Sequence, residues 1–157
     1  MNLDDLQLKF YNVGLSYKKA DVNVRGVFNI TKEDQVLLLK EAKEKNVKLI
    51  LPIDSVNSTS VNDQSASSIS EINEIPTNEM GLDIGPKSIN LFNEEILSSK
   101  TILWNGPMGV FEFDNFSKGT LSVGKSICES TGRGAYSLVG GGDSIAAIKK
   151  FNLTDGI

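Results

Sequence analysis

Hydrophobic positions along the chain alternate between helical stripes and short continuous runs. In the stripes, apolar residues recur three or four positions apart among polar ones, whereas in the runs they follow one another closely. The stripes predict helices over about 32–45, 87–97, 115–130 and 143–151, and the runs predict strands over 47–51, 101–104 and 135–139. Helices that alternate with short buried strands indicate an α/β domain with a mainly parallel sheet.

Several helix ends carry their own sequence signals. Thr31 followed by Asp34 resembles a capping box, with Asp where Glu is usual, and Asn46 is expected to end that helix. Pro86 suits the first turn of the second helix, because a proline there loses no helical hydrogen bond. Asp143 stands where the N-cap of the last helix is expected.

Three segments lack a clear period. Residues 55–70 are polar and poor in large apolar groups, which predicts a mobile surface excursion within the domain. Residues 80–86, with two glycines and a proline, predict a turn-rich segment. Residues 1–30 are poorly defined, and only the alternation over 22–29 favours a strand there.

The run at 135–139 leads into Gly140-Gly141-Gly142-Asp143 and then into the last predicted helix. A strand, a glycine turn and a helix N-terminus together present backbone N–H groups to a phosphate, and glycine lets the backbone approach it closely. Asp143 could in addition hold Mg²⁺. A tight turn with an Asp cap would give the same pattern. Ligands of such sheets bind at the carboxyl ends of the strands, here 52–54, 105–112 and 140–143.

Composition narrows the chemistry. The 157 residues suffice for one domain with a core, and they contain no histidine, which removes Ser-His and Cys-His catalysis. The single cysteine, Cys128, excludes an internal disulfide and is expected as a buried thiol. A net charge of −4 argues against a nucleic-acid surface. No apolar run is long enough for a membrane span and no signal peptide opens the chain, so the expected location is the cytoplasm.

Residues 119–126 satisfy the P-loop pattern G-x-x-x-x-G-K-[ST] in full. A P-loop must leave a buried strand, whereas the preceding residues 114–118 are polar. Apolar positions also run through the motif at a helical period, which places Lys125 on a helix. We interpret the match as accidental and retain a P-loop NTPase only as the least favoured alternative.

Three segments in this order resemble the nucleotide-binding C-terminal domain of phosphoglycerate kinase. They are Met80-Gly-Leu-Asp-Ile-Gly-Pro-Lys-Ser88, Thr101-Ile-Leu-Trp-Asn-Gly-Pro-Met-Gly-Val-Phe-Glu112 and Val139-Gly-Gly-Gly-Asp-Ser144. The stretch Lys43–Ser55 is similar to the helix-to-strand passage that precedes them in the family. The resemblance covers about residues 30–155, and 31–157 would form the nucleotide-binding domain.

The resemblance implies two Rossmann-like domains joined by a hinge, of which this chain would hold an incomplete set. The family moves a phosphoryl group between 1,3-bisphosphoglycerate and MgADP, giving 3-phosphoglycerate and MgATP in glycolysis. ADP or ATP with Mg²⁺ would therefore be the ligands, with no nucleic acid or membrane partner, and family members are usually monomers.

At the base end of the nucleotide, the resemblance places Leu82, Pro107 and Val110 along the adenine–ribose pocket, and the Glu112 carboxylate as acceptor for the ribose hydroxyls. At the phosphate end it implies backbone or side-chain contacts from Asn105, Gly140, Gly141, Gly142, Asp143 and Ser144. Among these, the Gly142 backbone is the candidate catalytic group, Asp143 is the Mg²⁺ ligand, and Ser144 replaces a family threonine near the transferred group. Trp104 is expected in the core.

The chain also departs from the family. A whole member is more than twice as long, and the basic glycerate site, the Gly-Gly-Ala-Lys-type segment and the later triple-glycine turn have no counterpart here. Losing one positioned electrostatic partner can cost about 10²–10³ in rate, so we expect the chain alone to be inactive and to use phosphoglycerates only if the missing half is supplied. A non-catalytic nucleotide-binding or interaction module is the alternative. Residues 1–30 are either a divergent lead into the domain or, as we favour, a remnant of the family's opening.

Overall fold

The computed structural model describes residues 31–157. The chain divides into two compact units, Met1–Leu49 and Ile50–Ile157. The predicted strand over 22–29, and the question of what residues 1–30 derive from, lie outside the described residues. Among the residues described, no helix has both the length and the apolarity needed to cross a bilayer.

Helix α1, Lys32–Glu44, begins at the capping box that the sequence predicts. The backbone N–H of Asp34 donates to the Thr31 hydroxyl at 3.1 Å, and the N–H of Thr31 donates to the Asp34 carboxylate at 3.2 Å. The helix ends just before Asn46, whose φ of 53° is a left-handed conformation that asparagine tolerates well. Both predicted ends of this helix are confirmed.

The prediction of a buried strand over 47–51 is wrong. These residues form no strand, and Val47, Leu49 and Leu51 are 57%, 47% and 60% exposed. A strand requires a neighbour that completes its backbone hydrogen bonds, and no segment within 31–157 pairs with this one. An apolar run indicates that a segment can be buried, but only a partner makes it a strand.

The larger unit contains a three-stranded antiparallel sheet with the order β2-β1-β3. Its strands are β1, Asp54–Ser58, β2, Ser68–Glu71, and β3, Met80–Ile84. Val56 of β1 lies opposite Ile69 of β2 and Asp83 of β3, and the register with β3 shifts between Val56 and Asn57. This sheet was not predicted from the sequence.

The two predicted loop segments, 55–70 and 80–86, are therefore wrong where they overlap these strands; 59–67 connects β1 to β2 without forming a strand. The buried polar residues of β1 all have hydrogen-bond partners: Asp54 bonds to Ser88, Ser58 to the Ala66 carbonyl, and Ser55 and Asn57 to each other and to β2. Ser55 Oγ donates to Asn57 Oδ1 at 2.6 Å, and Asn57 Nδ2 donates to Ser70 Oγ at 2.9 Å. A satisfied polar strand lacks the apolar alternation by which strands are recognised.

A second, two-stranded sheet is parallel, with β4, Thr101–Asn105, beside β5, Tyr136–Gly140. Three helices accompany it: α2, Pro86–Ser98, α3, Lys118–Gly132, and α4, Gly142–Lys150. Short 3₁₀ turns precede α3 at Asp114–Phe116 and follow α4 at Thr154–Gly156. These elements confirm the predicted α/β class, the parallel sheet and the start of α2 at Pro86.

The core of this unit lies between the parallel sheet and its helices. Trp104 of β4 packs with Val123 and Ile127 of α3 and Ile148 of α4. Trp104 is 4% exposed, as its predicted core position requires, and its indole N–H donates to the Gly106 carbonyl at 2.7 Å. The partly buried side chains around this cluster are Phe92, Ile96, Ile102, Met108, Val139, Leu153 and Ile157.

Helix α3 contains both the P-loop pattern and Cys128, so its structure tests the sequence interpretation of each. The P-loop pattern over 119–126 lies wholly inside the helix, with Lys125 on its exposed side, so the P-loop alternative is rejected. Such a loop has to precede a helix, not form one. Cys128, on the same helix, is half-buried with its Sγ 3.8 Å from the Leu153 carbonyl oxygen, and burial raises the pKa of the thiol.

We expect Ile127→Ala to lower the free energy of unfolding by about 2–5 kcal/mol, the range for deleting a large buried aliphatic side chain. Ile127 is 1% exposed and packs against the core around Trp104, the only tryptophan of the chain, whose fluorescence would follow unfolding in urea. Lys125→Ala, on the exposed side of the same helix, is the matched control and should change stability by less than about 0.5 kcal/mol. Equal stability of the two variants would contradict this core assignment.

Candidate functional site

The carboxyl ends of the two parallel strands meet at the glycine turn. Asn105, the last residue of β4, pairs with Gly140, the last residue of β5. Gly141 follows with a φ of 90°, and a Cβ there would lie 2.8 Å from the Asn105 side-chain oxygen. Glycine is therefore needed at 141 for its backbone angle and for space, and the Asn105 side chain lies directly against the turn.

The start of α4 completes the turn. Gly141, not Asp143, is the N-cap, so the predicted cap position is wrong by two residues. The positive φ of Gly141 ends the strand and lets the helix begin at once with Gly142. Asp143 is consequently an exposed residue of the first helical turn, and the first-turn N–H groups have no partner within the helix.

Ser144 connects this turn to the loop that follows β4. Its side chain is fully buried, and its hydroxyl accepts a hydrogen bond from the Gly106 backbone N–H at 2.7 Å. Gly106 takes a φ of 111°, which turns the chain away from β4. The loop after β4 and the turn after β5 are thus held together at the edge of the sheet.

An open cleft of about 380 Å³ is lined in part by that same loop. Leu82, Pro107 and Val110, the three residues expected beside an adenine, all line it. The Val110 N–H donates to the Leu82 carbonyl at 2.8 Å, which fixes the loop against β3. Leu82 of β3 and the loop residues Pro107 and Val110 are thus brought together in one cleft.

The far end of the loop is tied to α4. Lys150 Nζ donates to the carbonyl oxygens of Phe111 and Glu112 at 2.9 and 3.0 Å, and it pairs with the Asp114 carboxylate at 2.9 Å. Glu112 itself is exposed. Helix α4 thus contacts the loop through Lys150 at its last turn and through Ser144 at its first, so the loop and the glycine turn are joined at two points.

Asp83, which sequence reasoning did not single out, lies beneath the loop. Its carboxylate accepts the N–H groups of Gly119 at 2.8 Å and Ile84 at 2.9 Å, so it caps α3 where Ser117, the N-cap residue, makes no side-chain cap. A Cβ at Gly109 would lie 2.4 Å from the Asp83 carboxylate. Burial raises the pKa of Asp83 to about 6, against the opposing effect of its backbone hydrogen bonds.

Asp54 plays the same part for α2. Its carboxylate accepts the N–H groups of Lys87 at 2.9 Å and Ser88 at 2.8 Å, and the Ser88 hydroxyl at 2.6 Å. Burial acts to raise its pKa, but these hydrogen bonds and the nearby Lys87 charge outweigh it and leave the pKa of Asp54 below its ordinary value. Asp54 and Asp83 both line the cleft. The one sequence hint is Gly85-Pro86, since a helix start without a capping side chain needs an acceptor from elsewhere.

Comparison with known proteins places this geometry in context. A family model described as phosphoglycerate kinase matches residues 6–157. The chain is 53% identical over 118 residues to a phosphoglycerate kinase of Porphyromonas gingivalis, covering 75% of this chain and 28% of that protein. It is 42% identical over 143 residues to that of Thermosynechococcus vestitus, covering 88% and 35%.

Solved structures agree. The structure of phosphoglycerate kinase from Coxiella burnetii matches with a TM-score of 0.74 at 38% identity, covering 80% of this chain and 31% of that one. The phosphoglycerate kinase from Pyrococcus horikoshii matches with a TM-score of 0.54 at 25% identity. The chain spans about a third of the length of the curated relatives it matches.

We expect Asp83→Asn to remove a specific pH dependence of stability. Because the folded-state pKa of about 6 lies above the ordinary 3.8, the native state holds more protons than the unfolded state between those values. The stability of the wild type, relative to the variant, should therefore be greatest below about pH 4 and fall by about 3 kcal/mol as pH rises past about 6. Urea unfolding of both proteins across this range measures the difference. A difference that stays constant with pH would show that burial does not perturb Asp83.

Proposed function

The chain belongs to the phosphoglycerate kinase family, and on that premise we propose that its carboxyl-edge site binds the magnesium complex of ADP or ATP. One observation carries the proposal. Leu82, Pro107 and Val110 line a single cleft, and the loop that supplies two of them is hydrogen-bonded through Gly106 to Ser144 at the glycine turn. A pocket suited to a base is thereby joined to a turn suited to phosphates.

At the base end, the apolar side chains of Leu82, Pro107 and Val110 would hold the adenine. Flat aromatic rings bind well in such apolar clefts with few polar groups. Glu112, exposed near the end of the same loop, would accept hydrogen bonds from the ribose hydroxyls, since an ionised carboxylate is an acceptor only.

At the phosphate end, the backbone amides of Gly140, Gly141 and Gly142 would face the phosphate oxygens. The positive end of α4 favours anions there, and the exposed turn leaves room for them. Asn105, whose side chain lies against Gly141, would border the same phosphates. Ser144 would act mainly by holding the turn to the loop, because its hydroxyl already accepts the Gly106 N–H.

Mg²⁺ fits this donor set as a companion of the phosphates. Within residues 31–157, no three or more Asp, Glu, Cys or His side chains are grouped closely enough to hold a metal ion by themselves. Mg²⁺ commonly uses one or two carboxylates together with substrate phosphates and water. The exposed Asp143 carboxylate, one helical position after Gly142, would be the protein ligand, and the ion would neutralise phosphate charge.

The reaction that we propose for the family site is phosphoryl transfer between 1,3-bisphosphoglycerate and MgADP, giving 3-phosphoglycerate and MgATP in glycolysis, a cytoplasmic process. This chemistry depends on positioning and charge neutralisation rather than on a protein nucleophile, and the Gly142 amide would contribute to both. The matched relatives are about three times longer. We therefore propose that the 157-residue polypeptide by itself binds nucleotide but transfers little, and that it uses phosphoglycerates only when the remaining part of the family fold is supplied.

A second candidate is a nucleotide-binding module without catalysis. The observation that favours it is the same partial coverage, 28–35% of the relatives' length, combined with a cleft that brings Leu82, Pro107 and Val110 together. Both candidates predict nucleotide binding. They differ in whether adding the remaining part of a phosphoglycerate kinase produces turnover.

Calorimetric titration with ADP, with Mg²⁺ and with a chelator, tests the proposal. We expect saturable binding that strengthens with Mg²⁺. In Asp143→Ala the magnesium dependence should disappear, with MgADP affinity about tenfold weaker, because one charged contact is lost. Lys125→Ala should bind like the wild type, since Lys125 lies on the exposed side of α3.

Folding has to be checked in parallel through the fluorescence of buried Trp104. A folded wild type that does not bind MgADP would contradict the nucleotide-site proposal. Equal loss of affinity in both variants would contradict the assignment of Asp143.

A further inference from the structure

The first turn of α3 lies against the loop that lines the cleft. Thr120, in that turn, is fully buried. Its hydroxyl oxygen accepts two backbone hydrogen bonds, from Met108 at 3.1 Å and from Gly109 at 3.3 Å. One acceptor shared by two donors gives slightly longer bonds than one with a single donor. Met108 and Gly109 are the two residues between Pro107 and Val110, so the hydroxyl restrains the backbone that joins these two cleft residues.

The turn that carries Thr120 is itself fixed. The Gly119 N–H donates to the buried Asp83 carboxylate at 2.8 Å, and a Cβ at Gly119 would lie 2.3 Å from that carboxylate. Asp83 thus sets the position of the turn relative to β3, and β3 also supplies Leu82 to the cleft. Both sides of the cleft, Leu82 on one and the loop on the other, are therefore positioned by β3.

We propose that Thr120 is a positioning residue for nucleotide binding, whose hydroxyl holds the Met108–Gly109 backbone so that Pro107 and Val110 stand ready against the base. The inference rests on the proposed nucleotide function. A loop held in place before binding does not have to be ordered by the ligand, so the entropy cost of binding is smaller. Residues 119 and 120, the start of the rejected P-loop pattern, would thus serve the nucleotide indirectly.

Two variants separate positioning from packing. Thr120→Val keeps the shape of the side chain and removes the acceptor, whereas Thr120→Ser keeps the acceptor and removes a methyl group. Thr131→Val is the matched control at the other end of α3, where the hydroxyl donates to the Ile127 carbonyl at 2.8 Å and the residue is distant in sequence from the loop. If Thr120 acts through packing, Thr120→Ser should impair the loop and nucleotide binding more than Thr120→Val does. If it acts through its hydroxyl, Thr120→Val should impair them more.

Backbone amide exchange tests the contact without any ligand. We expect Thr120→Val to speed exchange of the Met108 and Gly109 amides by about tenfold each, since each amide loses its hydrogen bond to the hydroxyl. Thr120→Ser and Thr131→Val should leave these two amides near wild type. Unchanged exchange in Thr120→Val would overturn the proposal whatever the nucleotide results.

Calorimetry with MgADP and with magnesium pyrophosphate then tests the effect on binding. We expect Thr120→Val to weaken MgADP by about tenfold while pyrophosphate affinity stays unchanged, because the loop contacts the base and not the phosphates. Thr120→Ser should bind MgADP within about twofold of the wild type. Wild-type MgADP affinity in Thr120→Val, or parallel losses for both ligands, would overturn the positioning role. A folded wild type that binds neither ligand would instead refute the nucleotide function on which this inference rests.

Discussion

Two helices of this protein are capped from outside, by buried carboxylates on neighbouring strands. The N-terminus of a helix leaves several N–H groups without acceptors, and a local Ser, Thr, Asp or Asn usually supplies one. Neither Gly85 before α2 nor Ser117 before α3 does so. Asp54 of β1 caps α2 and Asp83 of β3 caps α3 instead. The antiparallel sheet is in this way attached to two helices that pack on the parallel sheet.

The two capping aspartates, Asp54 and Asp83, also contribute to the cleft. Both carboxylates line it, and the loop above Asp83 can approach only because residue 109 is glycine. Burial acts to raise the pKa of both aspartates, and the hydrogen bonds and the nearby charge that oppose it decide the direction of each shift. Asp54 receives a hydroxyl and two N–H groups and stays readily ionised, whereas burial dominates at Asp83.

The faces of the parallel sheet differ in their surroundings. On one side Trp104 and Val139 pack into the helical core, and on the other Leu103 and Leu138 are 55% and 53% exposed. Parallel sheets are usually covered on both faces. Within residues 31–157, this face of the parallel sheet therefore leaves apolar side chains exposed.

Predictions from the sequence agree with the structure mainly where adjacent residues decide the conformation, and they differ mainly where contacts between distant segments decide it. The capping box at Thr31 and the start of α2 at Pro86 are confirmed, because each depends on neighbouring residues. The apolar runs predicted as strands at 101–104 and 135–139 are also confirmed, because the two segments pair with each other as β4 and β5. The strand predicted over 47–51 does not form because no segment within 31–157 pairs with it, and the strand at 54–58 was missed because its residues are mostly polar, with hydrogen-bond partners that lie partly in other elements. The helix start at Asp143 was displaced by the backbone angle of Gly141.

The sequence by itself indicated the α/β class, through alternating helical stripes and apolar runs, and the family, through the resemblance of three motifs; that resemblance also implied that Leu82, Pro107 and Val110 lie together. Only the tertiary structure decided that Asp83 and Asp54 cap helices, that Thr120 holds the loop and that Ser144 joins loop to turn. Those contacts join residues 11 to 38 positions apart, and no pattern along the chain reports which distant donor a buried acceptor will meet.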